Sequence, residues 1–171
     1  MNRFFTDSFN FFQYNPDTES HRNFLEDIRK DEKIKDQLLD EELINSLSYF
    51  DENDFQSFLV GNQNDNIIGY LGIDSTGGHL ELEWAILEQF RGLRFNSYET
   101  VGSRMIRESS NYLLSLHREI KAIRAHIFDE NISSIKAALH AGFKYVDGVL
   151  YTKEKVTAYI SNPKGLITRS K

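Results

Sequence analysis

A chain of 171 residues with 40% hydrophobic and 27% charged content can build one substantial core and lies outside the composition of disordered proteins. The absence of cysteine removes disulfides, thiolate zinc sites and a cysteine nucleophile, and a net charge of −6 argues against a general nucleic-acid binder. No run approaches the ~20 apolar residues of a membrane span, and no signal peptide is read at the start, so a cytoplasmic protein without membrane partners is expected.

The Phe-rich start, with Phe4, Phe5, Phe9, Phe11 and Phe12, reads as an aromatic strand packed on a sheet rather than as the lining of an acceptor groove. Thr18 to about Leu38 and Asp40 to about Phe50 have helical spacing, carried by Phe24, Leu25 and Ile28 and by Leu43, Ile44 and Leu47. Phe55 to Gly61 and Ile67 to Asp74 read as a hairpin around the turn-forming stretch from Asn62 to Asn66. From His79 to Leu87, the apolar residues Leu80, Leu82, Trp84 and Ile86 alternate with His79, Glu81 and Glu83, so one face of this strand is apolar and the other carries two carboxylates.

A helix is read from about Phe95 to Leu116 on the stripe of Val101, Met105, Ile106, Tyr112, Leu113 and Leu116. Lys121 to Phe128 then reads as a strand, Ile132 to Ala141 as a short helix and Gly142 as its stop. Phe143 to Tyr151 and Val156 to Ile160 read as strands around Thr152-Lys153-Glu154-Lys155, with a tail from Asn162 to Lys171. Charge is uneven along this order. Acidic residues crowd Glu26 to Glu42, which suits a cationic substrate, while Arg91, Arg94, Arg104, Arg107, Arg118, Lys121 and Arg124 suit a polyanionic cofactor.

The junction from Trp84 to Tyr98, strand to glycine to helix, has the layout of an anion site: first-turn N–H groups lack intrahelical partners and the helix dipole favours a phosphate there. The chain has neither GxGxxG nor GxxxxGK[ST], so a dinucleotide or P-loop reading lacks its defining residues.

Gln89-Phe90-Arg91-Gly92-Leu93-Arg94 is similar to the cofactor motif Q/R-x-x-G-x-G/A of the GNAT N-acetyltransferases, except that Arg94 stands at the last, small-residue position. Asn96-Ser97-Tyr98-Glu99 resembles the N-[ST]-E-A stretch of the ribosomal-protein N-acetyltransferase branch. Asn131-Ile132-Ser133-Ser134 with Leu139, Gly142, Phe143 and Gly148 resembles the family's second block. The resemblance spans roughly residues 16 to 160 of a single domain. It implies an α/β (α+β) GNAT fold: a mixed, mostly antiparallel sheet of six to seven strands flanked by about four helices.

The resemblance also implies acetyl-CoA as acetyl donor, with no metal. The edge of the strand at Ala85, Ile86 and Leu87 would pair with the pantetheine amides. The motif opened by Gln89 would hold the pyrophosphate on backbone N–H groups of Arg91, Gly92, Leu93, Arg94, Phe95, Asn96 and Ser97. Asn131 would position the pantetheine arm or cap the short helix. Arg94 would obstruct the phosphates or turn outward to pair with one.

Acetyl transfer needs a neutral amine. At pH 7 a lysine of pKa ~10.4 must give up roughly 4.6 kcal/mol of proton affinity, an α-amine of pKa ~8 much less, so a weak or water-mediated base serves the latter. His126 is the first candidate base, with Glu83 and then Glu81 as alternatives. The family's usual acid, a tyrosine, aligns with Ala138; Ser134 takes the role by analogy as hydrogen-bond donor to the leaving sulfur, with Tyr145 and Tyr151 as fallbacks. His21, His117 and His140 show no metal-ligand spacing. The expected activity is N-acetylation of a primary amine, in a protein or a small and cationic molecule, and a homodimer is compatible. A catalytically silent acyl-CoA-binding or protein-interaction module of the same fold is the alternative.

Overall fold

The computed structural model describes residues 3–15, 17–35, 55–75, 79–117, 119–147 and 150–154. An eight-stranded sheet runs through it in the order β1-β2-β3-β4-β5-β6-β8-β7. Its strands are β1 (Arg3–Phe5), β2 (Asn10–Gln13), β3 (Phe55–Gly61), β4 (Ile67–Asp74), β5 (Leu80–Ile86), β6 (Ala122–His126), β7 (Lys144–Asp147) and β8 (Leu150–Glu154). The helices are α1 (Glu19–Lys30), α2 (Glu32–Lys35), α3 (Val101–Leu116) and α4 (Ile132–His140). Neighbouring strands are antiparallel except β5 and β6, which the crossover helix α3 makes parallel. This is the mixed, mostly antiparallel sheet expected. The strands beyond six come from the N-terminal hairpin, whose residues Phe4, Phe9 and Phe11 are buried. Phe4 lies stacked between Phe11, at 4.2 Å, and Tyr112 of α3, at 4.7 Å.

The alternation read in β5 divides the interior in two. Leu80 and Leu82 join Met105, Ile106 and Leu113 of α3 and Ile123 and Ala125 of β6 on one face. On the other face Ala85 meets Phe24, Leu25 and Ile28 of α1 and Ile34 of α2. The single helix read from Thr18 to Leu38 is two. Asp31 leaves helical geometry, and its Oδ1 accepts the backbone N–H groups of Lys33 at 3.1 Å and Ile34 at 3.3 Å, so a short polar side chain competes for the donors and starts a new turn. The helix read over Asp40 to Phe50 and the strand read over Val156 to Ile160 lie outside the described residues.

The C-terminal hairpin is also displaced. Thr152, Lys153 and Glu154, read as turn, belong to β8, where they face Arg124, Ile123 and Ala122 of β6. The segment read as one strand instead contains β7 and the start of β8, which pair antiparallel. Period-two patterning is weak here because β7 is exposed at all four positions, so polarity does not mark the turn. Gly142 stops α4 as expected, with φ +95.

This register carries Lys153 into the covered side of the sheet, where its Nζ donates to Ser110 Oγ at 2.8 Å. Burial brings its pKa down to about 8, with the Arg107 guanidinium acting in the same direction. A lysine depressed in the folded state lowers stability at neutral pH and ceases to do so as pH rises from about 8 to its ordinary value of 10.5. Lys153→Met is therefore expected to raise stability at pH 7 by about 2 kcal/mol, or roughly 4–8 °C in Tm, an advantage that shrinks toward pH 10 in a thermal melt series. The Ser110 hydroxyl keeps its donation to the Ile106 carbonyl at 2.6 Å in this variant.

No helix among the described residues is long and apolar enough to cross a membrane. Among the same residues no group of His, Asp and Glu could hold a metal ion.

Candidate functional site

β5 and β6 pair only at Leu80 with Ile123 and Glu81 with Arg124; beyond that point no pairing joins them. β4 stays paired with β5 as far as Ile86. The other edge of β5, from Glu83 onward, thus carries backbone groups with no strand partner, a template for an extended ligand bearing amides. A cleft of about 660 Å³ lies there. Its walls are Glu81 to Ile86 of β5, Phe90 to Gly92, the start of α3 at Thr100 and Gly102, His126 to Phe128, and Asn131, Ser133, Ser134 and Ala137 around the start of α4. Lys33 and Ile34 of α2 close one side.

Two hydrogen-bonded pairs meet this cleft, one lining it with both members and one with its carboxylate alone. Where the strands part, His126 Nδ1 meets Glu81 Oε1 in a short contact that orients the imidazole. Two residues along β5, Glu83 accepts a hydrogen bond of 2.8 Å from the Tyr70 hydroxyl. The cleft walls withhold water from the Glu83 carboxyl and push it above the usual range; the Tyr70 bond opposes this, and the Glu81 and Asp74 carboxylates reinforce it. Tyr70 is fully buried on β4, and burial together with Glu83 holds its hydroxyl well above the usual phenol range, so it stays a donor.

The junction differs from its expected form. α3 begins at Val101, not near Phe95, and residues 94 to 100 make an outward loop closed by the Arg94–Thr100 bridge. Asn96 Oδ1 accepts the N–H groups of Tyr98 at 2.8 Å and Glu99 at 2.9 Å, so the asparagine favours a turn where a helix was read. Thr100 and Ser103 then form a reciprocal capping box. Arg94 therefore does not stand at the start of the helix; its Nη1 donates to the Ser97 carbonyl at 3.2 Å. The glycine in the first turn is Gly102, which lines the cleft close to Ile86. Val101 N–H is bonded to the Leu93 carbonyl and Ser103 N–H to Thr100 Oγ1, leaving the Gly102 amide without a partner among the described residues. Gly92, with φ +68, supplies the turn before the loop.

Of the expected donor-binding residues, Ala85, Ile86, Arg91, Gly92, Asn131 and Ser134 line the cleft. Leu93, Arg94, Phe95, Asn96 and Ser97 lie on the exposed loop, Gln89 is exposed, and Leu87 packs in the core against α1. Asn131 caps α4, its Oδ1 accepting the Ser134 N–H at 3.1 Å, which leaves its side-chain N–H₂ free of the cap. Ala138 is fully buried in the core. Tyr151 is buried and Tyr145 exposed, their rings 5.7 Å apart, and neither lines the cleft. None of the N-terminal phenylalanines does so either. Arg104 and Arg107, read as part of a basic half, are engaged with Glu99 and Glu108. The residues that patterning missed are Tyr70, Lys33, Ile34 and Gly102; for Gly102 the signal was the cap pair Thr100 and Ser103.

No protein-family model matches the chain, and no curated protein matches it in sequence. Solved structures do. A Vibrio cholerae protein described as a candidate ribosomal-protein-serine acetyltransferase superposes with a TM-score of 0.70 at 13% identity, covering 91% of this chain and 100% of that one. A Bacillus anthracis acetyltransferase of the GNAT family gives 0.65 at 12% identity, with 89% and 98% covered. The spermidine N-acetyltransferase of Vibrio cholerae, in complex with CoA and spermine, gives 0.57 at 16% identity, with 79% and 88% covered. The eight-stranded order, the single parallel pair that parts into a cleft and these superpositions agree: the chain has the fold of the GNAT acetyltransferases.

Proposed function

We propose that the protein is an acetyl-CoA-dependent N-acetyltransferase acting on the primary amine of a cationic acceptor, either a small amine or a protein α-amine. The observation that carries this is the parting of β5 and β6, which puts an unpaired strand edge, a free helix-start amide at Gly102 and the His126–Glu81 pair around one cleft. The donor fits these groups. Its amide-bearing arm suits the edge at Ala85 and Ile86 and the Asn131 side-chain amide, and its pyrophosphate suits the start of α3. When bound, acetyl-CoA supplies a thioester carbonyl open to attack and a thiolate leaving group.

The chain's residues then have distinct tasks. His126, oriented by Glu81, takes the proton of the attacking amine, directly or through one water, as the C–N bond forms and the C–S bond breaks. Ser134 donates a hydrogen bond to the departing sulfur. Glu81, Glu83 and Asp74, which faces Glu81 across β4 and β5, make this side acidic and favour a cationic acceptor. Isothermal titration should show micromolar binding of acetyl-CoA, and thiol release should accelerate with spermine or with peptides bearing a free N-terminus. Absence of binding would overturn the reading, and binding without thiol release across both acceptor classes would favour the silent module.

A further inference from the structure

We propose that Asp31 is a positioning residue for donor binding: it fixes the Arg91 guanidinium so that one nitrogen remains to bond a phosphate oxygen of the donor. The inference rests on the acetyl-CoA reading above. Asp31 sits between α1 and α2 and uses both carboxylate oxygens. Oδ1 accepts from Lys33 and Ile34 and so starts α2, while Oδ2 pairs with Arg91 Nη2. Arg91 Nε in turn donates to the Ile86 carbonyl at 2.8 Å, at the end of β5. The remaining nitrogen, Nη1, is buried and has no hydrogen-bond partner among the described residues.

A guanidinium cannot shed its proton, so a buried N–H of this kind gains from whichever acceptor enters. Arg91 lines the cleft, next in sequence to Gly92, and Gly102 lines it too. A phosphate oxygen is the acceptor whose charge and geometry match a guanidinium best. With Nε and Nη2 already held, little side-chain freedom is left to lose on binding. The ion pair also ties the turn between α1 and α2 to the segment that follows β5.

The test is calorimetric titration of CoA, and of pantetheine, which lacks phosphate, into the wild type, Asp31→Asn, Arg91→Gln and the double variant. Asparagine keeps an oxygen to start α2, and melting curves monitor the fold. Asp31→Asn should weaken CoA about five- to tenfold and Arg91→Gln at least about tenfold, with the double variant no worse than Arg91→Gln and pantetheine binding the same in all four. Unchanged CoA affinity, additive losses or equal losses for pantetheine would overturn the proposal. A wild type that binds no CoA overturns the acetyltransferase reading itself, which separates the two failures.

Discussion

His126→Ala is expected to lower kcat by about 10²–10³ while leaving the Kd for acetyl-CoA within about twofold, because a positioned base acts on the transition state and not on donor binding. The imidazole lines the cleft at the point where β5 and β6 part, and its contact with Glu81 orients it. Glu81→Gln keeps the shape and loses the carboxylate that orients the ring, so kcat should fall by about tenfold with the Kd for acetyl-CoA unchanged. Glu83 is the competing base, since its carboxyl is held above the usual range while still opening into the cleft. A kcat that survives His126→Ala but collapses in Glu83→Gln would transfer the role to Glu83. Steady-state kinetics with a single acceptor across pH 6 to 9 separates the two.

Glu108→Ala should destabilise the fold by about 3 kcal/mol, lowering Tm by roughly 6–12 °C, because it removes one partner from a buried charged network. Glu108 accepts the Ser8 N–H at 3.0 Å and the Ser8 hydroxyl at 2.8 Å and pairs with Arg104. Arg104 also reaches Glu99 at 3.2 Å, and Arg107 reaches Glu99 at 2.7 Å. The network therefore pins the N-terminal hairpin and the 94 to 100 loop to α3, and truncation takes the carboxylate from Arg104 Nε and from the Ser8 amide and hydroxyl.

The same network sets an acid limit. Burial alone would raise the Glu108 carboxyl, but the hydrogen bonds from Thr6, Ser8 and Arg104 outweigh it and hold it below its ordinary 4.5. Glu99 is held down likewise, burial being outweighed by Arg104 and Arg107. Depressed carboxylates contribute stability above their ordinary value and lose it as pH falls through the folded one. Melting temperature should thus drop steeply below about pH 4.5 in the wild type and less steeply in Glu108→Gln.

The apolar alternation at Leu80, Leu82, Trp84 and Ile86 was legible because a half-buried strand imposes it, and the stripe of Met105, Ile106 and Leu113 because a helix on a sheet imposes that. Asp31, Asn96 and Thr152 were misread for a shared reason. Asp31 and Asn96 sit where a local hydrogen bond decides the conformation, and Thr152 where pairing with the exposed strand β7 does, rather than hydrophobic patterning. Arg94 shows the consequence most clearly. Counted along the chain it displaces a required small residue, but a loop closed by Asn96 and Glu99 removes it and brings Gly102 to the helix start.

The sequence by itself determined the element types of the core, and it offered the junction near Gly92 as a candidate anion site and His126, Glu83 and Ser134 as candidates that line one cleft. Tertiary structure alone decided where β5 and β6 part, that Glu81 meets His126, that Tyr70 meets Glu83 and that Asp31 meets Arg91 across 60 positions. The division has a physical cause. Periodicity records which side of an element is buried, a property of consecutive residues, whereas a pair of polar groups is set by register between distant strands and helices, to which local pattern is blind.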